Sequence, residues 1–155
     1  MNTTLPYEGN SIDAFEAELE RQVGSLRDEL REAWLDLLEM VPDEAQNILT
    51  SYRTLKTREE MFAWLNSVAE QVIEKTEPKP AREMSGLDPN SSRAFCPLCG
   101  GSSQGFFGEL GFVHPEGLRR HLRGDHNARQ CRVMKAAERL ARESVRGVRS
   151  FGWRP

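Results

Sequence analysis

The chain has 155 residues, which is enough for one domain or for two small domains joined by a linker. Hydrophobic residues make up 38% and charged residues 29%, and the mean hydropathy is -0.61, so we expect a soluble protein with a modest core. No apolar run approaches the roughly 20 residues that a membrane-spanning helix needs, which argues against a membrane partner. The N-terminus also lacks a basic region followed by an apolar one. We therefore expect an intracellular protein, cytoplasmic if bacterial or viral and nuclear if eukaryotic.

The charge is divided unevenly along the chain. Residues 1–92 contain 9 basic and 19 acidic residues, whereas residues 93–155 contain 12 basic and 5 acidic ones. Parts that differ so strongly in charge are expected to have different functions. The three cysteines fit a reducing compartment better than a disulfide framework, because two of them form a closely spaced pair.

The acidic part begins with a long amphipathic helix. After Asn10 or Ser11, either of which can cap a helix, apolar residues recur with steps of four and three from Leu19 onward, which is a heptad-like pattern. Two interpretations remain open. The apolar face is either part of the core of its own domain, or it is a dimer or partner-binding surface within residues 12–33. The residues of that candidate surface are Ile12, Leu19, Val23, Leu26 and Leu30.

Two further helices are predicted at about 42–54 and 57–75. Pro42 ends the first helix and can open the second, and Thr57 begins a capping box with Glu60. The predicted buried residues of the third helix are Met61 or Phe62, Leu65, Val68 or Ala69, and Val72. Residues 11–75 are therefore predicted to form a three-helix bundle or a helical hairpin. Residues 76–93, which contain three prolines and no helical or strand period, are predicted to be an extended linker.

A metal-binding pattern lies between Phe95 and His126. Cys96 and Cys99 are separated by two residues, and His121 and His126 are five apart near a predicted helix end. Two thiolates and two imidazoles at such spacings suit tetrahedral zinc. Cys131 and His114 are the alternative ligands if one of these four is not used.

These residues resemble a two-cysteine, two-histidine zinc finger over residues 95–126, so residues 94–127 are predicted to form a zinc-finger domain. The resemblance implies a ββα unit, in which two short strands carry the cysteines and one helix carries the histidines around Zn²⁺. Twelve residues separate Cys99 from Phe112, far more than is usual for the family. We expect the glycine-rich insertion to lengthen the hairpin turn without moving the ligands.

The basic part suggests contact with nucleic acid. A helix predicted over residues 128–148 carries cations at steps of three and four, and further arginines surround the first histidine. These candidate residues are Arg119, Arg120, Arg123, Arg132, Lys135, Arg139, Arg142 and Arg146. A cationic ridge of this kind can follow a phosphate backbone, while Val133, Ala137, Leu140 and Ala141 would lie on another face. In the tail, residues 149–155, Phe151 and Trp153 could stack on an unpaired base.

Readout of base sequence is expected to be weak. The zinc-finger resemblance implies that His114, Gly117 and Arg120 occupy the base-contacting positions of the helix, and glycine has no side chain with which to read a base.

The predicted fold is thus mainly α, with an N-terminal helical domain, a linker, and a ββα zinc finger continued by a basic helix. Two functions are compatible with it. The first is a nucleic-acid-binding protein whose acidic helices oligomerise or recruit a partner. The second is a zinc-stapled adaptor or inhibitor that engages proteins alone. An enzyme is not expected, because four protein ligands leave zinc no open position and no nucleophile is paired with a base.

Overall fold

The helices of the chain dominate its architecture, as predicted. The computed structural model describes residues 10–80, 91–105, 108–126 and 129–150. The helices in these ranges are α1 (Asn10–Glu39), α2 (Asp43–Thr50), which continues into a 3-10 helix (Ser51–Thr54), α3 (Arg58–Glu74), α4 (Glu116–Arg123) and α5 (Arg132–Ser150). None of the described helices is long and apolar enough to cross a bilayer.

Short strands surround the cysteine pair. They are β1 (Lys79–Pro80), β2 (Ser92–Ala94), β3 (Gln104–Gly105), β4 (Gly108–Glu109) and β5 (Phe112–Val113). Strands β1, β2 and β5 form an antiparallel sheet in that order, with Ala94 opposite Phe112, and β3 pairs with β4. The long segment between Cys99 and Phe112 therefore contains a second hairpin, while β2 and β5 remain paired.

The chain forms two compact units, and the boundary lies elsewhere than at the predicted linker. One unit comprises the described residues of the segment ending at Ala33, and the other extends from Trp34 through α5. In the second unit α3 packs against both α4 and α5, and β1 pairs with β2. The acidic helices after Trp34 and the basic C-terminal part therefore share one core, whereas the sequence placed them in separate domains.

Helix α3 contributes much of that core. Its capping box is present as predicted, because the backbone N–H of Glu60 donates to the Thr57 hydroxyl and the Glu60 carboxylate accepts from the Thr57 N–H. Its buried residues are Met61, Trp64, Val68, Ala69, Val72 and Ile73. Of the two alternatives in the prediction, Met61 is buried and Phe62 is exposed. The Trp64 indole N–H donates to the Ser51 hydroxyl at 2.8 Å, which ties α3 to the preceding 3-10 helix.

Helix α5 buries the face that the sequence predicted. Val133, Ala137, Leu140 and Ala141 are all buried, together with Met134, Ala136 and Val145. Many of these side chains are small, so neighbouring elements can approach the helix closely. Its charged residues consequently lie on the opposite side.

A bidentate ion pair joins α3 to α4. Arg119 donates from Nε to Glu70 Oε1 at 2.7 Å and from Nη2 to Glu70 Oε2 at 2.8 Å, and it also pairs with Glu116. The hydrogen bond from Arg119 holds the pKa of the Glu70 carboxyl below its ordinary value. Two carboxylates thus engage the Arg119 guanidinium group, and the assignment of Arg119 as a phosphate contact stays a prediction.

We expect Glu70→Gln and Arg119→Gln each to lower the thermal midpoint at neutral pH, and the double variant to lower it little further, because both changes remove one interaction. A carboxyl with a lowered folded-state pKa stabilises the protein above its unfolded pKa, and this contribution is lost as the pH falls. The difference between wild type and Glu70→Gln should therefore shrink as the pH drops below the ordinary glutamate value of 4.5. Calorimetry of metal-loaded protein across that range measures both effects.

The matched control is Glu74→Gln, on the exposed end of the same helix. Additive losses in the double variant would contradict the coupling of Glu70 with Arg119.

Candidate metal centre

Four side chains converge in the second unit. The ligand atoms of Cys96, Cys99, His121 and Cys131 all lie within 4.8 Å of one another. Three of these residues belong to the predicted set, but the fourth is Cys131, the alternative, and not His126. His126 is exposed and lies outside the cluster, so its assignment is corrected. His114 is not part of the cluster either, because its Nε2 lies 3.3 Å from the Ile73 carbonyl oxygen.

The cysteine pair sits on a tight turn directly after β2. The Gly100 N–H donates to the Cys96 carbonyl at 2.8 Å, and the Cys96 N–H donates to the Gly101 carbonyl at 2.9 Å. The Gly101 N–H also donates to the Cys99 sulfur at 3.3 Å. A Cβ at position 101 would lie 3.0 Å from that sulfur, so only glycine lets the backbone approach so closely. The turn therefore presents both sulfurs. Burial raises the pKa of the Cys99 thiol, and the hydrogen bond from Gly101 partly offsets this effect.

The end of α4 explains why His126 is not a ligand. The helix stops at Arg123, and Gly124 follows with a φ of 75°, a backbone conformation that favours glycine. The chain therefore leaves the helix before position 126, and His126 is not on the helical face that carries His121. The returning chain is held by a hydrogen bond from the Cys131 N–H to the His121 carbonyl at 2.6 Å.

Cys131 also caps the N-terminus of α5. It directly precedes Arg132, and its carbonyl accepts a 2.8 Å hydrogen bond from the Lys135 N–H. Hydrogen bonding from Cys96 lowers the pKa of the Cys131 thiol, and the His121 side chain and the Met134 N–H lower it further. A helix N-terminus favours a thiolate for the same electrostatic reason. The contact with Cys131 and burial raise the pKa of Cys96.

Two distances within the cluster are close to those between the ligands of a tetrahedral ion. The sulfurs of Cys96 and Cys131 are 3.9 Å apart, and the Cys99 sulfur is 3.3 Å from His121 Nε2. A tetrahedron with metal–sulfur bonds of about 2.3 Å and metal–nitrogen bonds of about 2.0 Å has edges of about 3.8 and about 3.5 Å. A cation would also offset the repulsion among three clustered thiolates. Four protein ligands complete such a sphere, which is the arrangement of a structural site.

Packing fixes the orientation of the histidine ligand. The rings of His121 and Phe112 are stacked, with centroids 4.3 Å apart and an angle of 18° between their planes. Phe112 lies on β5 opposite Ala94 of β2, so the sheet holds the Phe112 ring in place. This ring in turn packs against the candidate ligand His121. The stacking therefore links β5 to the helix that carries His121.

A groove of about 520 Å³ opens beside Cys99 and His121. We call it the basic groove, because Arg120 of α4, Arg132 of α5 and Arg129 between them line it. No acidic residue lines it within the described part of the chain. Arg129 was not among the predicted residues, since it follows no helical period. Its contribution to the groove is evident only from its position between α4 and α5.

The other predicted cations divide into two groups. Arg123, Lys135, Arg139 and Arg146 are exposed. Arg142 is instead half-buried, pairs with Glu138 at 2.9 Å from its Nε, and lies over the Phe62 ring. Its assignment as a phosphate contact, like that of Arg119, stays a prediction, although a carboxylate of the same helix engages its guanidinium group. Phe151 and Trp153 lie outside the described residues.

The apolar face of α1 is exposed in the first unit. Ile12, Leu19, Val23, Leu26 and Leu30 are between 44% and 63% exposed. Phe15, which the sequence reasoning omitted because it falls outside the heptad steps, is 63% exposed. These six residues are called the α1 seam below.

Comparison of the chain with models of known protein families, with curated proteins and with solved structures finds no match. Any functional conclusion therefore depends on the geometry described above.

The two candidate ligand sets make opposite predictions for two substitutions. Cys131→Ser should reduce metal content well below one ion per chain and destabilise the second unit, because it removes a buried ligand. His126→Ala should leave both the metal content and the thermal midpoint near wild type. Elemental analysis of the purified variants measures the first quantity. Full metal loading of Cys131→Ser, or loss of metal from His126→Ala, would contradict the ligand set in the structure.

Removal of the metal should affect more than the local turn. Because Cys131 begins α5 and α5 packs on α3, we expect a chelator to reduce helicity throughout the second unit in one transition. Far-ultraviolet circular dichroism during a chelator titration follows the change, and re-addition of metal should restore the signal. Loss confined to the few residues of α4 would contradict this coupling.

Proposed function

We propose that the chain is a non-enzymatic, zinc-stapled protein that binds nucleic acid mainly through the phosphate backbone. Three thiolates and one imidazole at tetrahedral spacing form a donor set that suits zinc. Strands β2 and β5 and helix α4 follow one another around these ligands. The proposed unit is therefore a zinc-finger-like module with an extra hairpin, whose fourth ligand comes from the next helix.

The observation that carries this proposal is the composition of the basic groove. Arg120 and Arg132 belong to different helices, yet they line one depression together with Arg129. Lys135 and Arg139 follow Arg132 along the exposed face of α5 at steps of three and four. Neither residue, nor Arg132, makes an ion pair with any described residue. A continuous row of unpaired guanidinium and ammonium groups favours binding of a polyanion.

The environment of Gly117 supports contact with the backbone over readout of bases. A Cβ at this position would lie 3.3 Å from the Val113 Cβ, so Gly117 allows the close approach of β5 to α4. No side chain can therefore extend from this position toward a base edge. Binding should consequently be tolerant of sequence and strongly dependent on salt.

The second candidate is a zinc-stapled adaptor that binds only proteins. The exposed α1 seam favours it, since an exposed apolar face of this length marks an interaction surface. The two candidates differ in one respect. An adaptor of this kind would retain no nucleic acid at any salt concentration.

The test replaces cations of the basic groove. We expect Arg120→Glu with Arg132→Glu to weaken binding of fluorescent single-stranded and duplex oligonucleotides. The slope of log affinity against log salt should also fall by about two, because two phosphate contacts are lost and each contributes about 0.7 to 0.9 to that slope. Fluorescence anisotropy across a salt series measures both quantities.

The matched control is Arg53→Glu with Lys56→Glu, which reverses two exposed cations of the same unit that do not line the basic groove. Its effect should be small. Equal weakening by both pairs would indicate a response to net charge alone and would contradict the groove as the contact surface. Absence of salt-dependent binding by the wild type would exclude the nucleic-acid function and favour the adaptor.

A further inference from the structure

The α1 seam has the form of one half of a coiled coil. From Leu19 onward its residues follow steps of four and three, which places Leu19 and Leu26 at heptad position d and Val23 and Leu30 at position a. Each of these four side chains is at least 44% exposed in the single chain. Apolar residues at both a and d form the contact surface through which one helix of a coiled coil packs against another.

The seam is self-complementary when a second copy runs in the opposite direction. In an antiparallel pair, position a of one helix meets position d of the other. Leu19 then lies opposite Leu30 of the second copy, and Val23 lies opposite Leu26. The same contacts recur across the two-fold axis, so each of the four large side chains is covered once.

Charge separates the antiparallel arrangement from the parallel one. Glu20 and Arg27 both occupy position e beside the seam, and both are exposed. In the antiparallel register the e positions of the two helices meet, so Glu20 of each copy faces Arg27 of the other. A parallel register would instead bring Glu20 toward Phe15 and Arg27 toward Gln22. Two ion pairs therefore favour the antiparallel register.

Neither residue of this pair is already engaged. Within the described residues, Arg21 pairs with Glu18, but Glu20 and Arg27 make no ion pair. The flanking Gln22 would meet Glu29 of the second copy, which avoids a like-charge contact. We propose that two copies of this chain associate through an antiparallel coiled coil centred between Gly24 and Ser25.

This arrangement goes beyond the proposed function and does not depend on it. A dimer built on α1 carries two second units, and hence two basic grooves, on one particle. Two linked sites bind a long polyanion more tightly than one site does, provided that both can reach it.

The full-length, zinc-loaded chain is the material for the test, and sedimentation equilibrium over a wide concentration range is the measurement. A monomer–dimer equilibrium is expected. Leu26→Asp should abolish the dimer and leave helicity unchanged, because Leu26 is 62% exposed in the single chain.

Charge reversal tests the register. Glu20→Arg or Arg27→Glu alone should raise the dimer dissociation constant about tenfold, since each replaces two attractive contacts with two repulsive ones. The double variant Glu20→Arg with Arg27→Glu should return it to within about threefold of wild type, because the pairs are restored with their signs exchanged. Asp28→Arg, on the outer face of the helix at position f, is the matched control and should change little.

Three results would overturn the proposal. A strictly monomeric wild type would mean that something other than a second copy covers the seam. A dimer that survives Leu26→Asp would lie on another surface. Failure of the double variant to recover would exclude the antiparallel register.

Discussion

The position of Cys131 organises the second unit. One residue both supplies a thiol to the metal cluster and caps the first turn of α5. Metal binding at this cluster would therefore be coupled to the start of the basic helix, since the Cys131 sulfur, a candidate ligand, also accepts from the amide of Met134. Helices α4 and α5 both pack on α3, so the cluster is linked to the rest of the core through two helices. A metal ion bound at this cluster would therefore be expected to stabilise more of the unit than its own turn.

The same core sorts the arginines by role. Arg119 and Arg142 lie within reach of carboxylates of the fold and form ion pairs with them. Arg120, Arg129 and Arg132 lie around the basic groove, where no acidic residue of the described chain competes for them. Neighbouring residues with identical chemistry thus pair with carboxylates of the fold in one case and line an open groove in the other. This division supports a polyanion as the partner better than the total charge of the region does.

Much of the fold and of the candidate site was predictable from local sequence patterns. The predictions that failed concerned contacts between residues far apart in the chain. Helical periodicity predicted the helices, and the Thr57 capping box and the Cys96–Cys99 spacing were confirmed. The spacing of His126 matched a known motif, but a single glycine after α4 turned the chain away from the metal. The division of charge suggested two domains joined by a linker at residues 76–93. A core is built from apolar faces, however, and the buried faces of α3 and α5 belong to one continuous cluster. The partner of Arg119 is 49 residues away, and no periodicity reports such a pair.

The contact between Gly117 and Val113 has a consequence for how this protein can evolve. A larger side chain at position 117 would crowd Val113 of β5, and β5 carries the ring that packs against the candidate ligand His121. Substitution at position 117 is therefore constrained by this packing. Variation is less constrained in the hairpin of β3 and β4, because its length can change while β2 and β5 keep their pairing. Relatives of this chain should therefore diversify in that hairpin first.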